Sequence, residues 1–229
     1  MKLKLIALIA VVAFTHQVKA QETEFFLKGG FNLANVSVNS NGGVDDAKAI
    51  PSFHAGVMAD IPLTSFLAVQ PGLLFTGKGA KTQAGNTSDA TYFRATSRPY
   101  YIEVPVNLVV KLPLQAEGSN FFVGAGPYVA MGIAGKNKAD GKIFTVAFSS
   151  EEKIEYNNDP PGSGTTNAGF AVLKRFDFGV NATAGLTLGN VMVSVNYGLG
   201  LAKLQAGSDN SADNDNKHRV LGLSLGFRL

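Results

Sequence analysis

The chain contains no cysteine and no tryptophan. Without cysteine there is neither a disulfide framework nor a thiolate metal site. Without tryptophan, any aromatic belt at a membrane interface has to be built from phenylalanine and tyrosine. Charge is sparse: Asp, Glu, Lys and Arg together make up 16% of the chain. No stretch after the first twenty residues approaches the roughly 18 continuous apolar residues that a transmembrane helix needs. If that part of the chain enters a membrane it must do so as a closed barrel, the other spanning structure that satisfies its own backbone. No His-x-x-x-His spacing occurs, and the Gly-x-Ser-x-Gly spacing at residues 222–226 falls inside an alternating segment and not on the strand-to-helix turn of a nucleophile elbow. The expectation is therefore a protein that is not an enzyme and that uses no cofactor and no metal.

What is present begins with an export signal. Lys2 and Lys4 precede an apolar run at residues 5–14, and Val18-Lys19-Ala20 supplies a small-residue cleavage site. This is the pattern of a secretory signal peptide read by the Sec translocon, with cleavage expected after Ala20. Two regions follow, a signal peptide at residues 1–20 and a single domain at residues 21–229. Lys2, Lys4 and Lys19 account for the whole charge excess, since without them 17 basic residues face 17 acidic ones. The basic isoelectric point thus belongs to the signal, and nucleic acid is not an expected partner.

The mature chain alternates. Near the C-terminus Leu221, Leu223, Leu225, Phe227 and Leu229 fall on one face, with Gly222, Ser224, Gly226 and Arg228 on the other. Side chains of a strand point to opposite faces in turn, so such a segment has one bulky apolar face and one small or polar face. Seven earlier segments share the pattern, at about residues 25–33, 52–61, 66–78, 100–112, 121–133, 176–188 and 191–201. Connections between them run long, short, long, short, long, short, long. Bacterial membrane barrels have an even number of strands, short periplasmic turns and long extracellular loops. A soluble secreted sandwich or barrel has no reason to lengthen every second connection. The expected fold is all-β: an eight-stranded antiparallel up-and-down transmembrane β-barrel after an N-terminal signal peptide.

Aromatic residues group at both ends of the segments. Phe25, Phe26, Phe66, Phe121, Phe122 and Phe227 are expected in a girdle at the periplasmic end. Phe53, Phe75, Tyr100, Tyr101, Phe176 and Phe178 are expected in one at the extracellular end. Residues 79–98 and 135–173 read as polar loops, the second with Phe144, Phe148, Tyr156 and Phe170 among its mixed charges.

With the strands placed, the chain resembles the small outer-membrane β-barrels described as PorT-like and, more distantly, the eight-stranded OmpA, OmpX and OmpW barrels. The resemblance rests on Leu27-Lys28-Gly29-Gly30-Phe31-Asn32, Leu67-Ala68-Val69-Gln70-Pro71-Gly72-Leu73-Leu74-Phe75 and Tyr101-Ile102-Glu103-Val104-Pro105-Val106. Gly124-Ala125-Gly126-Pro127-Tyr128, Phe176-Asp177-Phe178-Gly179 and residues 222–229 extend it. It implies fold and location in the outer membrane of a gram-negative cell envelope. It also implies that the barrel-assembly machinery reads the alternating last strand, with Leu221, Leu223, Leu225, Phe227 and Leu229 as the signal. An accessory role in protein secretion rests on family analogy alone.

The expected lumen carries Lys28, His54, Asp60, Gln70, Glu103, Asn107, Lys111, Asp177, Asn181, Asn196 and Arg228 as a polar network. An eight-stranded barrel is just wide enough for side chains to fill it. Its charges must then pair, because an isolated buried charge is very costly. The expected role is structural or interactive, with outer-membrane lipid around the barrel and the extracellular loops as a contact surface for an envelope protein or glycan. A narrow channel for small polar solutes is the alternative. A rim hydrolase built on His54, His218 and the aspartates of residues 205–217 is a further reading.

Overall fold

Alternation at a period of two produces strands here because each segment meets an apolar solvent on one side and a packed lumen on the other. The computed structural model describes residues 22–37, 47–86, 88–116, 118–157, 172–204 and 216–229. The signal peptide expected at residues 1–20 lies outside them, as do Phe170 and the aspartates of the last long connection. Twelve strands are formed by the described residues: β1 (Glu24–Val36), β2 (Ile50–Pro62), β3 (Leu67–Gly77), β4 (Ala80–Ala84), β5 (Thr91–Pro113), β6 (Asn120–Ile143), β7 (Val146–Lys153), β8 (Glu155–Tyr156), β9 (Val172–Leu173), β10 (Phe176–Leu188), β11 (Val191–Gly200) and β12 (His218–Arg228). No helix among them is long and apolar enough to cross a membrane.

Eight strands close a ring in which every neighbour is antiparallel, in the order β1, β2, β3, β5, β6, β10, β11, β12 and back to β1. The closing pair sets Leu27 opposite Phe227 and Leu33 opposite Leu221. Closure leaves no free edge within the barrel, which is the condition for burying strands in lipid. At one end the connections are short, and Gly189-Asn190 joins β10 to β11 with Gly189 at φ +59°. Both described chain ends, Glu22 and Leu229, belong to this turn end, and long connections emerge from the other.

The outside is apolar from strand to strand. Phe31, Leu73, Leu108, Val129, Phe178, Val195 and Leu223 are all exposed. Inside, glycines let the wall close tightly. A Cβ on Gly30 would come within 2.8 Å of Ser224 Cα and 2.9 Å of His54 Cε1, so any larger residue there has to displace the adjoining strand.

Three aromatics expected in the girdles stand instead in the lumen. Phe26 and Phe122 are buried among Met58, Ala68, Val109 and Met192, an apolar plug near the turn end. Tyr101 is buried near the loop end. Each adjoins an outward-facing aromatic (Phe25, Phe121, Tyr100), so strand alternation sends it inward.

The largest departure from the sequence reading lies beyond the loop end. Residues expected as loops continue as strand. β5 begins at Thr91 and β6 runs to Ile143, so their hairpin extends well past the barrel wall. β4 pairs with the projecting part of β5, and β7 with that of β6, giving a four-stranded extension in the order β4-β5-β6-β7. Its inner side packs over the barrel mouth: Ala80 and Ile154 join Val36, Leu173 and Leu204 in a small apolar core. A bulge sits where the extension leaves the wall. Tyr100 pairs with Ala134 but Tyr101 pairs with Gly132, leaving Ile133 as an extra residue on β6.

Candidate functional site

The inward faces of the strands bring polar side chains together at three levels. Near the loop end Lys78, one residue past β3, places Nζ 2.8 Å from both Glu103 Oε2 and Asp177 Oδ2. Tyr128 donates its hydroxyl to the same Asp177 oxygen at 3.1 Å, and its ring lies 4.2 Å beneath the lysine. Tyr101 stands edge-on to His218, and their OH and Nε2 atoms are 3.3 Å apart. This cluster joins β5, β6, β10 and β12 through a cation that comes just after β3.

The middle level is a continuous chain of hydrogen bonds. Lys28 Nζ and Thr183 Oγ1 donate to Asn196 Oδ1 at 3.1 and 3.0 Å. Asn196 Nδ2 donates to Ser224 Oγ at 2.8 Å, and Ser224 Oγ lies 2.8 Å from His54 Nε2. His54 Nδ1 is 2.8 Å from Asn32 Oδ1, whose amide in turn donates to Thr76 Oγ1 at 3.0 Å. An amide oxygen only accepts, which assigns the proton to Nδ1 and leaves Nε2 to accept from Ser224. Six strands are tied together in this way.

Nearer the turn end, Asp60 Oδ2 receives Lys111 Nζ at 2.8 Å and Gln70 Nε2 at 3.1 Å. Between these levels lies a cavity of about 70 Å³, room for a few water molecules. Asn107 and Asn181 line it. The apolar plug of Phe26, Phe122 and their neighbours closes the lumen below.

Of the residues expected in the lumen, Arg228 is the one set apart from these clusters. It sits half-exposed at the turn end, where Nη2 meets Glu24 Oε1 at 3.0 Å and the guanidinium lies over the Phe26 ring. The expectation that lumen charges pair also fails at Lys28. It makes no ion pair among the described residues and is held by an amide oxygen instead. Overall balance is kept because Lys28, Lys78 and Lys111 face Asp60, Glu103 and Asp177. Neither His54 nor His218 hydrogen-bonds a carboxylate, and no group of three His, Cys, Asp or Glu residues among the described ones is arranged to hold a metal ion.

Lys78 was not among the expected lumen residues, although a signal for it exists. It is the last residue of the segment at 66–78 and continues the phase of Gln70, Gly72, Leu74 and Thr76. Asn32 and Ser224 were missed for a different reason, as small polar residues among glycines.

Outside the barrel the extension has a distinct geometry. Its turn is Phe144-Thr145, where Phe144 adopts φ +53° and is 73% exposed, flanked by exposed Ile143 and Val146. Phe93 of β5 stacks on Phe148 of β7 across Gly141 of β6. On the side facing away from the mouth, Arg94 holds Asp140 with Nη2 at 2.8 Å and Nε at 3.1 Å, and Lys136 holds Glu151. The hydrogen bond and charge of Lys136 keep the Glu151 carboxyl below its ordinary value of 4.5.

A closed antiparallel barrel with an apolar exterior and a polar, filled interior is a transmembrane barrel of the outer-membrane class. Residues 19–205 match the family model for the outer membrane protein beta-barrel domain, and the chain belongs to that family. Its place is the outer membrane. Among solved structures it is similar to Ail, the attachment invasion locus protein of Yersinia pestis, at 15% identity and a TM-score of 0.39, covering 91% of this chain and 100% of that one. Neisserial surface protein A is similar at 13% identity and a TM-score of 0.40, with 91% and 99% covered. The N-terminal barrel domain of Pseudomonas aeruginosa OprF follows at 9% identity and a TM-score of 0.30, with 88% and 97% covered. No curated protein matches the chain in sequence.

Proposed function

We propose that this outer-membrane barrel is a non-catalytic surface-contact protein, in which the barrel is an anchor and the tip of the extension binds an envelope protein or glycan. The observation that carries this reading is Phe144. A non-glycine residue in the left-handed region costs about 1–2 kcal/mol. Burial does not offset that cost, since Phe144 stands 73% exposed between Ile143 and Val146. Glycine or asparagine would make the same turn without strain. A strained apolar side chain held out in water is explained by something it touches.

The lumen supports the same reading against the channel. Its polar groups are cross-linked at three levels, and the apolar plug fills the turn end. The long connections of such barrels are extracellular, which directs the extension to the cell surface.

The test uses cells displaying the full protein, probed on arrays of immobilised proteins and glycans. Phe144→Gly removes both the strain and the side chain. The variant is expected to fold with equal or greater stability and to lose at least tenfold in binding. Binding left intact by Phe144→Gly overturns the proposal. So does a stable open conductance level of the wild-type protein in a planar bilayer.

A further inference from the structure

A second surface lies on the outward side of the extension, away from the tip. Strand β5 keeps its alternation from the barrel wall into the extension, so Arg98, Thr96 and Arg94 share the side of lipid-facing Ile102 and Tyr100. The bulge at Ile133 brings Lys136, Lys138 and Asp140 of β6 to that same side, opposite Arg98, Thr96 and Arg94. With Lys81 of β4 and Glu151 of β7 they line a groove of about 430 Å³, whose lower edge is Tyr100 and Pro51.

Two features define what this groove fits. The first is position. Tyr100 stacks on Phe75 at 5.3 Å and approaches Phe53 at 6.2 Å, an aromatic cluster on the outer wall. Such clusters mark the level of lipid head groups. At about 3.3 Å per residue and a tilt of about 40°, Arg98 stands roughly 5 Å above Tyr100 and Arg94 roughly 15 Å. The groove therefore continues the lipid-facing surface into the head-group layer.

The second feature is charge. Five cations, Lys81, Arg94, Arg98, Lys136 and Lys138, face two carboxylates, a net charge of +3. Both carboxylates are already neutralised by Arg94 and Lys136. Lys81, Arg98 and Lys138 make no ion pair among the described residues. Within the extension, the opposite side of β4, β5 and β6 covers the mouth with residues such as Ala80, Ser97 and Pro99, and carries no charge along those three strands.

We propose that this groove binds the phosphates of anionic lipid head groups in the leaflet around the loop end of the barrel. Arg98 supplies a planar fork for phosphate oxygens, and Lys81 and Lys138 supply point charges on either side. The proposal concerns a surface separate from the tip, and its failure leaves the tip reading untouched.

The experiment takes the folded protein in detergent micelles and measures lipid retained by native mass spectrometry. The probes are bisphosphorylated lipid A, its dephosphorylated form and the deacylated disaccharide bisphosphate. Wild-type protein is expected to retain the bisphosphorylated lipid at least tenfold better than either of the others. Near-surface cations are worth about fivefold each, so K81Q/R98Q/K138Q is expected to lower retention by roughly 100-fold. Should that variant fail to fold, Arg98→Glu alone is expected to lower it at least tenfold. Phe144→Gly is expected to change nothing. Equal retention of the phosphorylated and dephosphorylated lipids overturns the proposal, as does retention unchanged in the folded variants. Equal binding of the deacylated bisphosphate overturns it as well, since the site would then serve soluble polyanions.

Discussion

Lys78 Nζ lies 2.8 Å from Asp177 Oδ2, although 99 residues separate the two in sequence. The contact bridges the lumen between the end of β3 and the start of β10, and Glu103 completes it from β5. Breaking a buried pair by removing one partner leaves an uncompensated charge and costs about 3–5 kcal/mol. Lys78→Met is expected to destabilise the barrel by that amount, because two carboxylates then face each other. Adding Glu103→Gln and Asp177→Asn is expected to recover most of the loss. Urea titration read by gel mobility with and without boiling measures both.

Leu223 stands at the middle of β12, opposite Phe31 on one side and Val195 on the other, with its side chain outward. A lipid-facing arginine near the bilayer midplane costs about 2–4 kcal/mol, falling to about 0–1 near the interface. Leu223→Arg is expected to show the larger value and Leu229→Arg the smaller, by reversible unfolding in lipid vesicles. Equal effects would mean that the apolar wall does not meet lipid.

Arg228 continues the small, polar face of the last strand and is held at the rim. Its partner Glu24 and the guanidinium itself are both partly exposed. Solvent-exposed pairs contribute about 0–1 kcal/mol. Arg228→Ala is expected to change unfolding free energy by less than about 1 kcal/mol, while leaving the heat-dependent gel shift intact.

Glu151 is held below its ordinary value of 4.5 by Lys136. A depressed carboxyl stabilises the fold above its unfolded value, and the contribution disappears as pH falls through the folded one. Acidification through the carboxylate range is therefore expected to loosen β7 from β6 before it affects the barrel. Hydrogen exchange followed by mass spectrometry checks this: amides of residues 146–153 should lose protection first. Lys136→Gln should abolish the difference between pH 6 and pH 4.

The barrel was legible in the sequence because lipid imposes a strict rule on every second residue of every strand. Eight runs obeying it, with alternating connection lengths, leave one topology. The extension was not legible because water imposes no such rule. Its inner side uses small residues such as Ala80, Ser97 and Gly135, and its outer side uses lysines and threonines, a composition shared with loops. Strand pairing to β5 and β6, not side-chain pattern, holds it. The lumen was legible as a set of polar positions, including His54, Glu103 and Asp177. Which of them meet depends on the stagger of neighbouring strands, and that is a property of the closed ring. Lys78 illustrates the difference: it closes the segment at 66–78 in the inward phase, but its contacts with Glu103 and Asp177 come only from the closed ring.

The bulge at Ile133 has a consequence for how such a protein changes over generations. It works as a phase joint between two sheets that share strands but obey different solvents. Were Ile133 to pair with Tyr100 and so close the bulge, the distal ten residues of β6 would turn over, sending Lys136 and Lys138 toward the mouth while every barrel residue kept its side. Substitutions above the joint are thus free of the membrane's constraint, and a surface can diversify on an anchor that stays the same.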